Sequence, residues 1–115
     1  MGRRNLAQMT RIGHICREAL QEFATSLAQR CGAEVLADRA KTVQAIRTVL
    51  GMHQLGETHK AFLDALLTYW GTVSDLVQRQ EHGAARDKEP LTWEDARRIV
   101  FQTAIVMFEI ARSAI

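Results

Sequence analysis

The sequence is poor in the residues that make turns and crosslinks. Its 115 residues include one proline and seven glycines, too few for the frequent turns of a β-sandwich or a β-barrel. Its two cysteines, Cys16 and Cys31, are too few for a disulfide framework and match no zinc-ligand spacing. We interpret them as small hydrophobic residues of a helix, and their sparse use predicts a reducing, cytoplasmic location.

A large excess of one charge and a long apolar run are also lacking. The net charge is +2 and hydrophobic residues make up 47% of the chain, values typical of a globular domain, which excludes wholesale disorder. The most apolar segment spans about 13 residues, whereas a membrane helix needs ~20. The composition therefore requires neither a membrane nor a nucleic acid as partner, and we predict no membrane association.

Apolar residues recur at spacings of three and four residues in four segments, which is the pattern of amphipathic helices. We therefore predict an all-α fold, a single-domain antiparallel helical bundle of about four helices. The domain covers residues 1–115. The predicted helices cover residues 5–31, 33–50, 57–80 and 92–114, and a polar, mobile linker covers residues 82–91.

The last predicted helix is apolar around most of its circumference. Thr92 is its N-cap and two acidic residues fill its first turn, as the helix dipole favours. A helix of this kind is buried on most of its sides, so it is either the central helix or part of an interface. The candidate interface residues are Ile99, Phe101, Ile105, Phe108 and Ile115.

Basic residues are concentrated in the first half of the chain. Residues 1–60 contain nine basic and five acidic residues, a net +4, while residues 61–115 contain six basic and eight acidic residues, a net −2. A basic set of this kind can bind the phosphates of a single-stranded nucleic acid. The candidate nucleic-acid-binding residues are Arg3, Arg4, Arg11, Arg17, Arg39, Lys41 and Arg47.

Arg47 and His53 carry a possible catalytic motif. Their spacing matches the Arg-x4–6-His pattern of HEPN-domain RNases, in which the histidine would act as general base and the arginine would hold the phosphate. A shuffled sequence of this composition contains about one such match by chance. Motifs of nucleotide-binding loops, serine hydrolases and zinc proteases are absent, so we predict no cofactor and no metal.

The first prediction for function is a non-enzymatic helical subunit with a structural or adaptor role. It would act through protein–protein assembly, as a homo-oligomer or as a subunit of a larger assembly. The alternatives are a nucleic-acid-binding subunit of a ribonucleoprotein or defence complex, and a HEPN-like RNase. We interpret the excess of 12 arginines over three lysines as the codon bias of a bacterial or phage genome.

Three further residues leave alternatives open. Gly13 lies inside the first predicted helix, where it permits either a close crossing of another helix or a break after a short basic arm. Tyr69 and Trp70 are adjacent aromatic residues in the third helix, and each belongs either to the core or to an exposed contact surface.

Overall fold

A computed structural model describes residues 3–32, 41–83 and 91–115, with side chains for residues 5–32, 41–78 and 91–115. Four helices occupy these ranges, and the ranges contain no strand. The helices are α1 (Arg3–Arg30), α2 (Thr42–Gly51), α3 (Glu57–Gly83) and α4 (Trp93–Ala114). The prediction of an all-α four-helix bundle is confirmed.

The observed helix bounds differ most from the predicted ones around the second and third helices. In the described part of the chain α2 begins at Thr42, and residues 33–40 of the predicted second helix lie outside the described residues. Helix α3 continues to Gly83, so the first two residues of the predicted linker are helical. Glycine is a common residue at a helix end, and the only proline lies seven residues further on. Residues 84–90 of the linker lie outside the described residues.

Helix α3 runs antiparallel to α4. His59, near the start of α3, lies 2.9 Å from the hydroxyl of Ser113 near the end of α4. Halfway along both helices the indole N–H of Trp70 donates to Thr103 Oγ1 at 2.8 Å. This buried hydrogen bond satisfies the one polar atom of Trp70, which is why the ring can lie in the core.

Helix α1 packs against α4 and runs in the same direction. The Cys16 thiol lies beside Thr103, and the Cys31 thiol lies 3.8 Å from the carbonyl oxygen of Ala114. Both cysteines are free, and both pack with the hydrophobic core, as predicted. The described core is built from all four helices, with Leu20, Ile46, Leu63 and Ile110 among its fully buried members.

Two local features fix the ends and crossings of these helices. Thr92 caps α4 in a reciprocal capping box, in which its hydroxyl accepts from the Asp95 N–H and the Asp95 carboxylate accepts from the Thr92 N–H. At Gly13, α1 passes so close to α3 that a Cβ atom would overlap the side chain of Val77. Helix α1 is unbroken there, so the close-crossing interpretation of Gly13 is the correct one.

Candidate protein-interaction surface

Helix α4 carries two apolar faces. One face lies in the core, and its fully buried members include Ile99, Val106 and Ile110. The other face is exposed to solvent and is named here the α4 outer face. It consists of Val100, Phe101, Ile105, Phe108 and Ile115, which are 45%, 63%, 41%, 58% and 63% exposed.

The exposed apolar residues of the chain are concentrated on this helix. Ten large hydrophobic residues are exposed in the described part of the chain, and six of them lie on α4 or directly after it. Single exposed hydrophobic residues are common on protein surfaces, whereas a row of them along one helix is typical of an interaction surface. The sixth residue, Trp93, lies at the first turn of α4 and is 36% exposed.

Four of the five predicted interface residues lie on the α4 outer face, and one does not. The prediction that Ile99 is an interface residue is wrong, since this side chain is fully buried in the core. It lies two residues before Phe101, which places it about 200° away around the helix axis. Val100 belongs to the outer face and the sequence prediction missed it. Its spacing of eight residues from Phe108 places the two about 80° apart around the helix axis, so periodicity carried only a weak signal for it.

Charged residues border the α4 outer face. Glu94 and Arg97 form an ion pair at 3.3 Å, and both side chains are well exposed. The guanidinium of Arg112 lies over the ring of Phe108, 5.4 Å from its centre. Since exposed ion pairs contribute little, these charges remain available to a partner, and an apolar row with charges at both ends can select both partner and orientation.

The apolar surface extends onto α1. Ile115 lines a cleft together with Phe23 and Leu27, which joins the end of the α4 outer face to α1. Phe23 is itself partly buried against the core, so the cleft joins the α4 outer face to the packed side of α1. The α4 outer face is therefore continuous with α1 at the end that Ile115 forms.

Trp70 and Tyr69 have opposite positions, which resolves the alternative left open by the sequence. Trp70 is buried and bonded to Thr103, whereas Tyr69 is 45% exposed on α3. The adjacent pair therefore does not form one exposed aromatic platform.

Arg47 and His53 are each engaged within the fold. Arg47 Nε donates to Asp64 at 2.7 Å and a terminal nitrogen donates to Thr68 at 2.9 Å. His53 Nδ1 lies 3.0 Å from the Val49 carbonyl oxygen, which can only accept, so Nδ1 carries the proton. A phosphate would have to compete with the Asp64 carboxylate for Arg47. The RNase alternative stays a prediction.

The described members of the basic set do not form one row. Arg11 is exposed while Arg17 is half-buried, with its guanidinium 3.3 Å from His14 Nδ1. Their spacing of six residues places them about 120° apart around α1, and Lys41 lies just before α2. Of the basic set, the side chains of Arg3, Arg4 and Arg39 lie outside the described residues. Nucleic-acid binding by this set stays a prediction.

Two further nucleophilic side chains of the described residues, Ser113 and Cys16, are not activated. The Ser113 hydroxyl donates to the Glu109 carbonyl oxygen at 2.9 Å, so its neighbour His59 donates to the serine oxygen rather than taking its proton. Burial raises the pKa of the Cys16 thiol, which lowers its thiolate fraction. No group of three or more metal-ligating side chains occurs in the part of the chain that the structure describes.

Comparison with known protein families, with curated proteins and with solved structures finds no match for this chain. Among the described helices, none has the length and apolarity to cross a membrane. The α4 outer face is therefore the feature on which a functional assignment rests.

Proposed function

We propose that this protein is a non-enzymatic helical subunit that acts by protein–protein assembly through the α4 outer face. The observation that carries the proposal is that α4 is apolar on two sides: one side fills the core of its own bundle, and the other is exposed along most of the helix. A structural or adaptor role follows, in a cytoplasm whose reducing conditions suit two free cysteines.

The energetic argument concerns the aromatic residues of this face. Phe101 and Phe108 are both more than half exposed, and burying the exposed part of one such side chain against a partner stabilises a complex by about 1–2 kcal/mol. A partner that covers the face also removes Ile105 and Val100 from water. These contributions are large enough to offset part of the entropy lost on association, which is itself several kcal/mol.

The test is the oligomeric state and the dye binding of two variants, Phe101→Gln and Phe108→Gln. Light scattering behind size-exclusion chromatography across the micromolar range is expected to show association of the native protein. Each variant is expected to weaken this association by about tenfold, since burying the exposed part of one phenylalanine contributes about 1–2 kcal/mol. An apolar fluorescent dye is expected to bind the native monomer and to bind the variants less.

The matched control is Phe62→Gln on α3. Phe62 is 46% exposed, so the control removes a comparable aromatic side chain from a different face, and we expect no change in association. The proposal is wrong if the native protein stays monomeric and binds no dye, or if Phe62→Gln weakens association as much as Phe101→Gln does.

A further inference from the structure

We infer that the partner of the α4 outer face is a second copy of this chain, and that the two α4 helices pack antiparallel around a two-fold axis at the level of residue 103. This inference rests on the proposed function and names the partner of the same surface. It is drawn from the arrangement of charged and apolar residues along the exposed side of α4.

The exposed side of α4 has a spacing that is the same in both directions. Six residues follow one another along this side at intervals of four, three, four, three and four positions, the alternation of a helix-packing seam. The seam residues are Glu94, Arg98, Phe101, Ile105, Phe108 and Arg112. Because the intervals are symmetric about position 103, an antiparallel copy of the helix places every seam residue opposite another seam residue.

The residues that meet in this arrangement are chemically complementary. Glu94 lies opposite Arg112 of the second copy, which pairs a carboxylate with a guanidinium. Phe101 lies opposite Ile105, which forms the apolar centre. Arg98 lies opposite Phe108, so a guanidinium meets an aromatic ring. The two-fold axis forms each of these contacts twice, as an isologous interface requires.

A parallel pairing of the same face is unfavourable. It places Glu94 opposite Glu94 of the second copy, and likewise Arg98 opposite Arg98 and Arg112 opposite Arg112. Like charges facing each other across an interface oppose association and select against that orientation. The charges at the two ends of the seam therefore favour the antiparallel arrangement.

The contacts that Glu94 and Arg112 make within one chain do not compete strongly with their contacts to a second copy. Glu94 pairs with Arg97, and both side chains are about two-thirds exposed, so the pair contributes little. Arg112 contacts Phe108 only through the face of the ring. Arg98 is the exception, since it is paired with Asp95 at 3.1 Å and this pair is less exposed.

The first test reverses the charges of the terminal pair. Glu94→Arg and Arg112→Glu are each expected to weaken self-association by about tenfold, because each variant loses two ion pairs and gains two repulsive ones. The double variant restores opposite charges at both sites, and its association is expected to recover most of that loss. Lys60→Glu on α3, an exposed residue outside the seam, is the control and is expected to leave association unchanged.

The second test measures orientation with spin labels on the full chain, in a background in which Cys16 and Cys31 are replaced by alanine. Labels at Arg97→Cys and at Ala104→Cys lie on the exposed side of α4 but outside the seam. In the antiparallel dimer the two 97 positions are about 18 Å apart along the axis, and the two 104 positions about 3 Å. The 97–97 distance is therefore expected to exceed the 104–104 distance by roughly 10 Å, given the usual 8–10 Å between packed helices.

The outcomes separate this inference from the proposed function. Equal distances at positions 97 and 104, or a double charge variant weaker than both single variants, overturn the antiparallel pairing while the assembly function stands. A second outcome is a native protein that stays monomeric and binds the apolar dye, with the dye binding lost in Phe101→Gln. This outcome overturns the inference that the partner is a second copy, and it assigns the α4 outer face to a different protein. A monomer that binds no dye overturns both.

Discussion

The close crossing of α1 and α3 at Gly13 predicts that Gly13→Ala lowers the stability of the fold. In most helices Gly→Ala stabilises, since alanine gains about 1 kcal/mol in helix propensity. At Gly13 the added Cβ would overlap Cγ1 of Val77 and lie 3.3 Å from its Cβ. Val77 is fully buried and β-branched, so its side chain has essentially one rotamer in a helix and cannot turn aside.

The two effects oppose each other at Gly13, and their sizes decide the result. Overpacking a well-packed core costs about 1–3 kcal/mol, and an overlap of this degree with a rigid neighbour belongs near the upper end. After the gain in helix propensity, Gly13→Ala is expected to destabilise the fold by about 1–2 kcal/mol. In a domain of this size that lowers the melting temperature by roughly 4–8 °C.

Gly71→Ala is the matched variant with the opposite expected sign. Gly71 lies within α3, and nothing lies within 4 Å of the position a Cβ would occupy. The substitution therefore gains helix propensity without a clash and is expected to stabilise by about 0.5–1 kcal/mol.

The assay is urea unfolding of both variants at one protein concentration in the Phe101→Gln background, since self-association would add a concentration-dependent contribution. Val77→Ala, alone and combined with Gly13→Ala, completes a double-mutant cycle that isolates the clash. The coupling energy between the two positions is expected to be about 1–3 kcal/mol. If Gly13→Ala stabilises as Gly71→Ala does, or if the coupling is zero, the helices do not cross at Gly13 and the reasoning is refuted.

Two further predictions concern buried polar groups. Thr103→Val is expected to lower the free energy of unfolding by about 1–3 kcal/mol, because it leaves the buried N–H of Trp70 without an acceptor. Urea unfolding measures this loss. A Thr103→Ser variant that is equally destabilised would contradict the account. Burial raises the pKa of the Cys16 thiol, so in a Cys31→Ala variant we expect slow alkylation by iodoacetamide at neutral pH, faster in urea or as the pH rises. Rapid alkylation of the folded protein at neutral pH would contradict it.

The sequence predicted the elements of the fold more accurately than their ends. The start of α4 was predictable because Thr92 and Asp95 form a capping box whose residue types are visible in the chain. The end of α3 was not, since the polar residues that follow its last apolar position are equally compatible with helix and linker. The close crossing at Gly13 depends on Val77, 64 positions away, and no local pattern shows which distant residue will lie opposite a glycine.

For the candidate surface, too, the sequence predicted the helix that carries it but not every residue that is exposed on it. The excess of apolar residues on the last helix predicted an interface, and four of the five residues named for it are exposed. Ile99 could not be distinguished from Phe101 by composition, because the choice depends on which side of α4 meets the bundle. The neighbours Trp70 and Cys16 contact Thr103, and these tertiary contacts fix the rotation of the helix that sequence periodicity left undetermined.

The two faces of α4 have separate consequences for folding and for assembly. Its core face is covered by α1 and α3, whereas Phe101 and Phe108 are already exposed in the single chain. Replacing an exposed side chain removes little that stabilises the monomer, so polar substitutions on the α4 outer face are expected to weaken the proposed association while the bundle stays folded. Association in turn stabilises the fold by mass action. In the proposed assembly one helix is both a wall of its own bundle and the contact surface for a partner, an arrangement that allows assembly to be adjusted without changing the core.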